Sequence, residues 1–428
     1  MQQIVQELYQ DIKAKGISAG AFLVAGVVLI LFAIFALTTS ALPQDWKGKL
    51  WWLPFVFAIT GLLFVIVAPL VAWVIERNRT ALQLIAWTGF NEPEVTLPFV
   101  RTQKSNIDVL EYVRGIEKVT QLKYCGSLFD VIISDVEFLD RHEKGHRLRS
   151  LTGVKYEGPL WEKVNESLAT EVQTAAGGKF GVPVRFGLND IVINSSKTHE
   201  LFGKQTISSY KELKLSEVLS NTSVDCRVGL WNWYVTTFPI LLLAEGVPLK
   251  DIWFQPESTI IALKNTILAN KEKFYLFDYP EDATKSLRQG KVWTILGSGG
   301  WILPRQVEHR QGLQAIMPTE GAIMWVECAG IIHNDEKTVE LSRSFIEYLL
   351  NKETQTLLAE RESYRACPTT QEALDSLPHD LCQLFHKDRV FDDKRTLNSR
   401  NVILRQLPKD WRVWEKHWEE IDATLTHA

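Results

Sequence analysis

The chain has 428 residues, which is enough for two or three domains and a large buried core. Its formal net charge is −4 and its lysines and arginines are scattered, so no basic face indicates nucleic-acid binding. The 15 tryptophans are compatible with ligand stacking, a large apolar core or a membrane interface.

Two uncharged apolar stretches, residues 17–37 and 50–75, dominate the N-terminal part of the chain. Each is long enough for a membrane-spanning helix, which needs roughly 20 apolar residues, and tryptophans flank the second as interfacial residues do. A cleaved signal peptide is the alternative for the first stretch, although its apolar part is long for one. The sequence therefore predicts two transmembrane helices forming a hairpin over residues 1–80, followed by a separate domain over 81–428.

From residue 80 onward, apolar strand-like runs alternate with amphipathic helix-like segments, which is the pattern of an α/β domain. The run at 82–87 is typical of a buried strand, and the run at 128–134 predicts a second. We predict a helix over 107–117 between them.

The stretch 313–333 has the pattern strand, turn, strand. A short apolar run ends at Pro318, a Thr-Glu-Gly turn follows, and a second apolar run carries Trp325 and Glu327. An acid in a strand fit for burial costs free energy unless it has a partner. Glu327 is therefore paired either by the protein or by a ligand.

The order of these features resembles the extracellular solute-binding proteins of ABC importers, in particular the spermidine/putrescine-receptor branch. That branch opens with a strand ending in Trp, followed by an aromatic residue and Pro-Glu. It later shows a Pro-x-Glu-Gly turn before a strand with an aromatic residue and an acid. The corresponding residues are Trp87, Phe90, Pro93, Glu94, Pro318, Glu320, Gly321, Trp325 and Glu327. The segment 180–194 contains a Val-Pro pair and ends in Ile-Val-Ile-Asn. It resembles the family's Val-Pro and Ile-x-Val-Asn segment, in which the chain passes between lobes.

The resemblance implies a type II periplasmic-binding-protein fold, with two α/β lobes and a ligand cleft between them. Carboxylates in such receptors hold ammonium groups, while aromatic faces pack against methylene chains. We therefore expect one interlobe cleft lined by Trp87, Phe90, Asp135, Glu137, Arg185, Trp325 and Glu327. Plain core packing is the alternative for each aromatic residue, and a structural ion pair is the alternative for Glu327.

The charges of these residues favour a cationic solute, because three carboxylates against one guanidinium leave the cleft net negative. Some positions depart from the branch, however. Trp231, Asn232 and Trp233 stand where the branch has acids, and Leu296 stands where it has a tryptophan. Arg185 replaces an apolar residue and could bind a carboxylate or phosphate, or neutralise Asp135.

The implied function is a membrane-anchored receptor that captures a small organic solute, such as a polyamine or another amine. Its implied partners are the permease and ATPase subunits of an ABC importer. The large domain would lie outside the inner (plasma) membrane, facing the periplasm or exterior. More basic residues flank the predicted hairpin than occupy its loop, and this bias favours the opposite orientation. The alternative is a ligand-sensing or scaffolding protein that uses the same fold without transport.

Other chemical signals are weak. The chain shows no nucleophile–base pair and no Walker motif, so we expect no enzymatic activity and no cofactor. His142 and His146 have metal-ligand spacing, but their strongly polar surroundings favour a solvated helix face. The 5 cysteines lack metal spacing and leave both disulfides and buried free thiols open.

Overall fold

A computed structural model describes residues 59, 81–112, 129–143, 148–151, 158–175, 177–304, 312–332, 336–361, 364–391, 397 and 401–426. The chain divides into two compact units, Met1–Ala81 and Leu82–Ala428. Apart from Ile59, the predicted membrane spans at 17–37 and 50–75 lie outside the described residues. Within the part of the chain that is described, no helix is long and apolar enough to cross a membrane.

Strands and helices alternate along the second unit. The described strands are β1 (Ala81–Trp87), β2 (Asn106–Tyr112), β3 (Val131–Asp135), β4 (Val182–Asn189), β5 (Ile191–Asn194), β6 (Arg227–Trp231), β7 (Phe274–Phe277), β8 (Val292–Leu296), β9 (Leu313–Ile316), β10 (Ala322–Ile331) and β11 (Val402–Leu404). The described α-helices are α1 (Pro93–Gln103), α2 (Val136–Glu143), α3 (Gly158–Glu162), α4 (Glu166–Thr174), α5 (Ser195–Phe202), α6 (Leu215–Asn221), α7 (Tyr234–Ala244), α8 (Glu257–Ala269), α9 (Pro280–Arg288), α10 (Glu336–Leu349), α11 (Lys352–Glu360), α12 (Gln371–Ser376), α13 (His379–Leu384), α14 (Lys387–Val390) and α15 (Trp411–Thr426).

The strands form two mixed sheets, and each sheet is the centre of one lobe. The first sheet has the order β11-β10-β3-β1-β2, with β4 paired to β10, and the second has the order β7-β6-β8-β5-β9. We call the parts built on these sheets the first lobe and the second lobe. Strand β10 runs antiparallel to both β3 and β4, so it is a central strand of the first lobe.

The chain crosses between the lobes at two adjacent places. It leaves the first sheet after β4 and enters the second at β5, with Asp190 between the two strands. It returns between β9 and β10. The prediction that residues 180–194 pass from one lobe to the other is therefore confirmed, and so is the strand–turn–strand prediction for 313–333. At the first crossing, the Asn189 side chain donates a hydrogen bond of 2.7 Å to the carbonyl of Gly297.

The predicted helix over 107–117 is wrong, because its described part is the strand β2. This strand lies beside β1, and polar contacts fix it there. Gln83 donates to Asp108 at 2.6 Å, and the amide of Gly89 donates to Glu111 at 2.8 Å. The residues in each contact are distant in sequence, and the local apolar spacing that indicated a helix carries no information about such contacts.

Helix α7 follows β6 closely, and it is the central helix of the second lobe. Every residue of Tyr234–Ala244 is buried. A helix that is apolar on all sides packs against neighbours on all sides, which is why its sequence lacks an amphipathic stripe. It lies directly after Trp231 and Trp233, and so holds the segment that carries both tryptophans in place.

Candidate functional site

Three neighbouring strands of the first sheet bring the predicted charges together. Glu327 on β10 stands opposite Asp135 on β3 and Arg185 on β4 in the strand register. Side chains directly opposite on one face of adjacent strands lie within contact distance. Trp325 lies two residues before Glu327, so alternation along the strand puts it on the same face. On β4 it meets Gly187, where an added Cβ would lie 2.3 Å from the Trp325 ring.

Arg185 and Glu327 form a buried two-pronged ion pair. Arg185 Nε lies 2.8 Å from Glu327 Oε2, its Nη2 lies 3.2 Å from Oε1, and both side chains are almost fully buried. The guanidinium also stacks over the rings of Phe90, at 4.4 Å, and Tyr364, at 4.6 Å. Burial alone would lower the pKa of Arg185, but the Glu327 carboxylate raises it above its ordinary value. Glu327 thus has a partner within the protein.

A second ion-pair group lies on the other side of Glu327, at the junction of β3 and α2. Arg405 Nη2 lies 2.7 Å from Asp135 Oδ1, and Arg405 Nε lies 2.5 Å from Glu137 Oε1. Trp87 donates its indole N–H to Asp135 Oδ2 at 3.1 Å. The Arg405 guanidinium stacks over the ring of Trp233, 4.7 Å from its centroid. All the charged groups in this set are buried.

The acid Glu137 in this set has a raised pKa. Burial raises its pKa from the ordinary value of 4.5 to about 7, although Arg405 acts in the opposite direction. Its Oε1 is bound by Arg405, whereas its Oε2 is buried and has no hydrogen-bond partner within the described part of the chain. A buried carboxylate oxygen without a partner destabilises the charged form.

This pKa predicts a specific pH dependence of stability. Between about pH 4.5 and about pH 7, folded Glu137 holds a proton that the unfolded chain has released. Its contribution to the free energy of unfolding is therefore largest at low pH and falls as the pH rises to about 7, by roughly 1–3 kcal/mol. In urea unfolding experiments, the free energy of unfolding should fall more between pH 5 and pH 8 for the native chain than for Glu137→Gln. Equal losses would contradict the assignment.

Aromatic rings from both lobes close the space between the two ion-pair groups. In the first lobe, Trp87 stacks with Tyr364 at 6.2 Å. From the second lobe, Trp233 meets Trp87 at 5.3 Å, and Trp301 meets Tyr364 at 5.1 Å and Trp325 at 6.2 Å. The indole N–H of Trp301 is buried and has no hydrogen-bond partner among the residues that the structure describes. We call this set of charged and aromatic side chains the cleft cluster.

The residues predicted from the sequence all lie in the cleft cluster or against it. They are Trp87, Phe90, Asp135, Glu137, Arg185, Trp325 and Glu327, and all are buried. The sequence did not indicate four further members, which are Tyr112, Trp301, Tyr364 and Arg405. Trp233 stood out only as a departure from the branch. Arg405 matters most among these four, because it brings a second guanidinium to the three carboxylates. The net negative charge of the cluster is therefore smaller than the sequence indicates.

The described residues offer no alternative metal centre or disulfide. No group of His, Cys, Asp or Glu among them has the arrangement to hold a metal ion. Within the described ranges Cys226, Cys328 and Cys367 are buried free thiols, and Cys382 is a free thiol that is partly exposed. Cys125 and His146 lie outside the described residues.

A separate groove of about 980 Å³ shares no lining residue with the cleft cluster. Its walls come from α4 and β11 in the first lobe and from the segment after α7 in the second. That segment contributes Lys250, Trp253 and Phe254, and Phe254 is 72% exposed. None of the seven residues predicted from the sequence lines this groove.

The two-lobed fold is similar to that of known solute-binding proteins. Residues 199–381 match the family model described as "Bacterial extracellular solute-binding protein". A putative spermidine/putrescine ABC transporter protein from Listeria monocytogenes has a similar structure, with a TM-score of 0.62 at 14% identity. That match covers 80% of this chain and 99% of the other.

Two further solved structures show the same fold. The spermidine/putrescine ABC transporter substrate-binding protein of Streptococcus pneumoniae matches with a TM-score of 0.59 at 15% identity, over 81% of this chain and 99% of that one. A periplasmic binding protein of A. tumefaciens in complex with glucopine matches with a TM-score of 0.57 at 13% identity. That match covers 81% of this chain and 99% of the other. The predicted α/β periplasmic-binding-protein fold is thereby confirmed for the large domain.

Proposed function

We propose that this chain is a membrane-anchored receptor that captures a small organic solute between its two lobes for an ABC-type importer. The cleft cluster carries the proposal. It combines buried charges with aromatic faces, draws them from both lobes, and lies beside the strands on which the lobes meet. Receptors of this fold close on their ligand by a hinge motion between lobes. The family match over residues 199–381 supports the same function.

The groups available to a solute are of two kinds. Glu137 Oε2 can accept a hydrogen bond from a cationic group, and Trp87 adds an aromatic ring in the same cluster. The Nη1 of Arg185 and the indole N–H of Trp301 are donors without partners in the described part of the chain. Buried polar atoms are normally satisfied, so a solute that supplies these partners gains free energy on binding. An amine that also carries an acceptor group fits this set.

The membrane attachment follows from the sequence. We propose that residues 17–37 and 50–75 form a helical hairpin and that the large domain lies on the periplasmic or exterior side. A receptor must meet its solute before the solute crosses the membrane, and large domains translocate largely regardless of flanking charge. The permease and ATPase subunits of the importer are then its partners.

A thermal-shift screen of the full-length chain in mild detergent tests the proposal. The screen covers amines, amino acids, sugars and organic acids. A solute present at about one hundred times its Kd should raise the free energy of unfolding by about 2.7 kcal/mol. Amines with an acceptor group should give the largest shift. If no solute of any of these classes stabilises the chain, the receptor function is contradicted and a scaffolding role gains support.

A further inference from the structure

The C-terminal segment, residues 401–426, joins the two lobes a third time. Its strand β11 pairs in parallel with β10 at the edge of the first sheet. Its helix α15 packs on the second lobe, where Trp418 donates to Asn232 at 2.9 Å and His417 lies 3.0 Å from Glu257. This segment lies beyond the part of the chain that matches the family model.

Arg405 is the residue by which this segment enters the cleft cluster. It follows β11 directly, and its amide donates to the carbonyl of Met324 at 2.8 Å, which fixes its backbone to β10. Its side chain is 2% exposed. The guanidinium contacts Asp135 and Glu137 in the first lobe and stacks over Trp233 in the second. It is therefore held by two acids and an aromatic face, the groups that a receptor offers to a cationic ligand.

We propose that Arg405 is a built-in guanidinium ligand that occupies the cation-binding part of the cleft, so that a cationic solute binds Asp135 Oδ1 and Glu137 Oε1 only by displacing it. The inference rests on the proposed function in one respect, namely that these two acids belong to the solute site. Two buried carboxylates without a cation are unfavourable, which explains why the chain supplies one of its own. Arg405 then sets specificity, because a solute must compete with a preorganised guanidinium for the same oxygens.

The geometry also explains how displacement would be communicated. Arg405 lies between α2 of the first lobe and Trp233 of the second, and its own segment continues into α15 on the second lobe. When the guanidinium leaves the acids, the bridge that it forms between them and Trp233 is lost.

Chemical rescue with a small guanidinium ion tests the proposal without knowledge of the natural solute. The proteins are the full-length native chain, Arg405→Ala, and the control Arg412→Ala, which removes an exposed arginine from the same segment. Each is titrated with methylguanidinium chloride in the millimolar range, with tetramethylammonium chloride as the ionic-strength control. Melting temperature and tryptophan fluorescence are recorded, because Trp233 lies directly under the guanidinium.

Arg405→Ala should show a saturable rise in melting temperature with methylguanidinium and none with tetramethylammonium. The native chain and Arg412→Ala should respond only at concentrations at least tenfold higher. Adding Glu137→Gln to Arg405→Ala should weaken the response at least tenfold. If Arg405→Ala is obtained only unfolded, the same comparison is made on its refolding yield. No saturable rescue in Arg405→Ala, or equal responses in the native chain and the variant, would overturn the proposal.

The outcome is distinguishable from failure of the receptor function. Rescue by methylguanidinium together with an empty solute screen supports a built-in guanidinium ligand in a protein that does not capture solutes. A positive screen without rescue supports the receptor and overturns the role of Arg405. The two results therefore come from separate measurements on the same chain.

Discussion

Replacing Arg185 with alanine should lower the free energy of unfolding by about 3–5 kcal/mol, because it leaves the Glu327 carboxylate buried without its cationic partner. Both side chains of this pair are at most 1% exposed, and two contacts of 2.8 and 3.2 Å join them. The change also removes the guanidinium that stacks on Phe90 and Tyr364. Urea unfolding of the full-length chain measures the loss.

The surface pair of Arg343 and Glu347 supplies the matched control. These side chains lie 3.7 Å apart on α10 and are 24% and 38% exposed. Arg343→Ala should lower the free energy of unfolding by about 0–1 kcal/mol, which is the range measured for exposed ion pairs. A double variant in which apolar residues of similar volume replace both Arg185 and Glu327 should lose less free energy of unfolding than Arg185→Ala alone. If Arg185→Ala costs no more than Arg343→Ala, the pair is not buried as described.

Part of the site on the first sheet could be predicted from the sequence alone. An acid inside an apolar strand predicted that Glu327 needs a partner, and the β4 motif placed Arg185 near the crossing between the lobes. The first inference depends on a local pattern, an acid within an apolar run, which a single sequence displays. The second depends on the resemblance of the Val-Pro segment to the family's crossing between lobes. The choice between a protein partner and a ligand for Glu327 depends on strand register, which the sequence does not display.

Arg405 illustrates what could not be predicted. It lies 268 residues from Glu137 in sequence, and the strand β11 that positions it has only 3 residues. So short an edge strand carries no detectable alternation, and an arginine beside it is indistinguishable from a surface charge. Tyr364 and Trp301 were missed for a related reason. Trp301 lies in a 3-10 helix of three residues and Tyr364 lies outside any helix or strand, and only the packing of the two lobes brings them together.

The second arginine changes the chemistry expected of the cleft. With one guanidinium, three acids would attract a cation strongly; with two, most of that charge is already neutralised inside the protein. The partly protonated state of Glu137 near neutral pH reduces the negative excess further. A cationic solute must then gain affinity from aromatic stacking and from unsatisfied donors and acceptors rather than from net charge.

The most direct test of solute capture in the cleft cluster is a calorimetric titration with the best solute from the screen. The proteins are the native chain, Trp301→Phe in the second lobe, Glu137→Gln in the first, and the control Trp253→Phe. Trp301 and Trp253 both have a buried indole N–H without a partner in the described residues, but Trp253 lines the separate groove.

Removing a group that satisfies a buried solute atom should cost about 1–3 kcal/mol of binding free energy, or roughly 5- to 150-fold in Kd. We expect Trp301→Phe and Glu137→Gln both to weaken binding by this amount, while Trp253→Phe binds as the native chain does. Weaker binding in Trp253→Phe with unchanged binding in the other two would place the solute in the groove. That result would contradict capture in the cleft cluster.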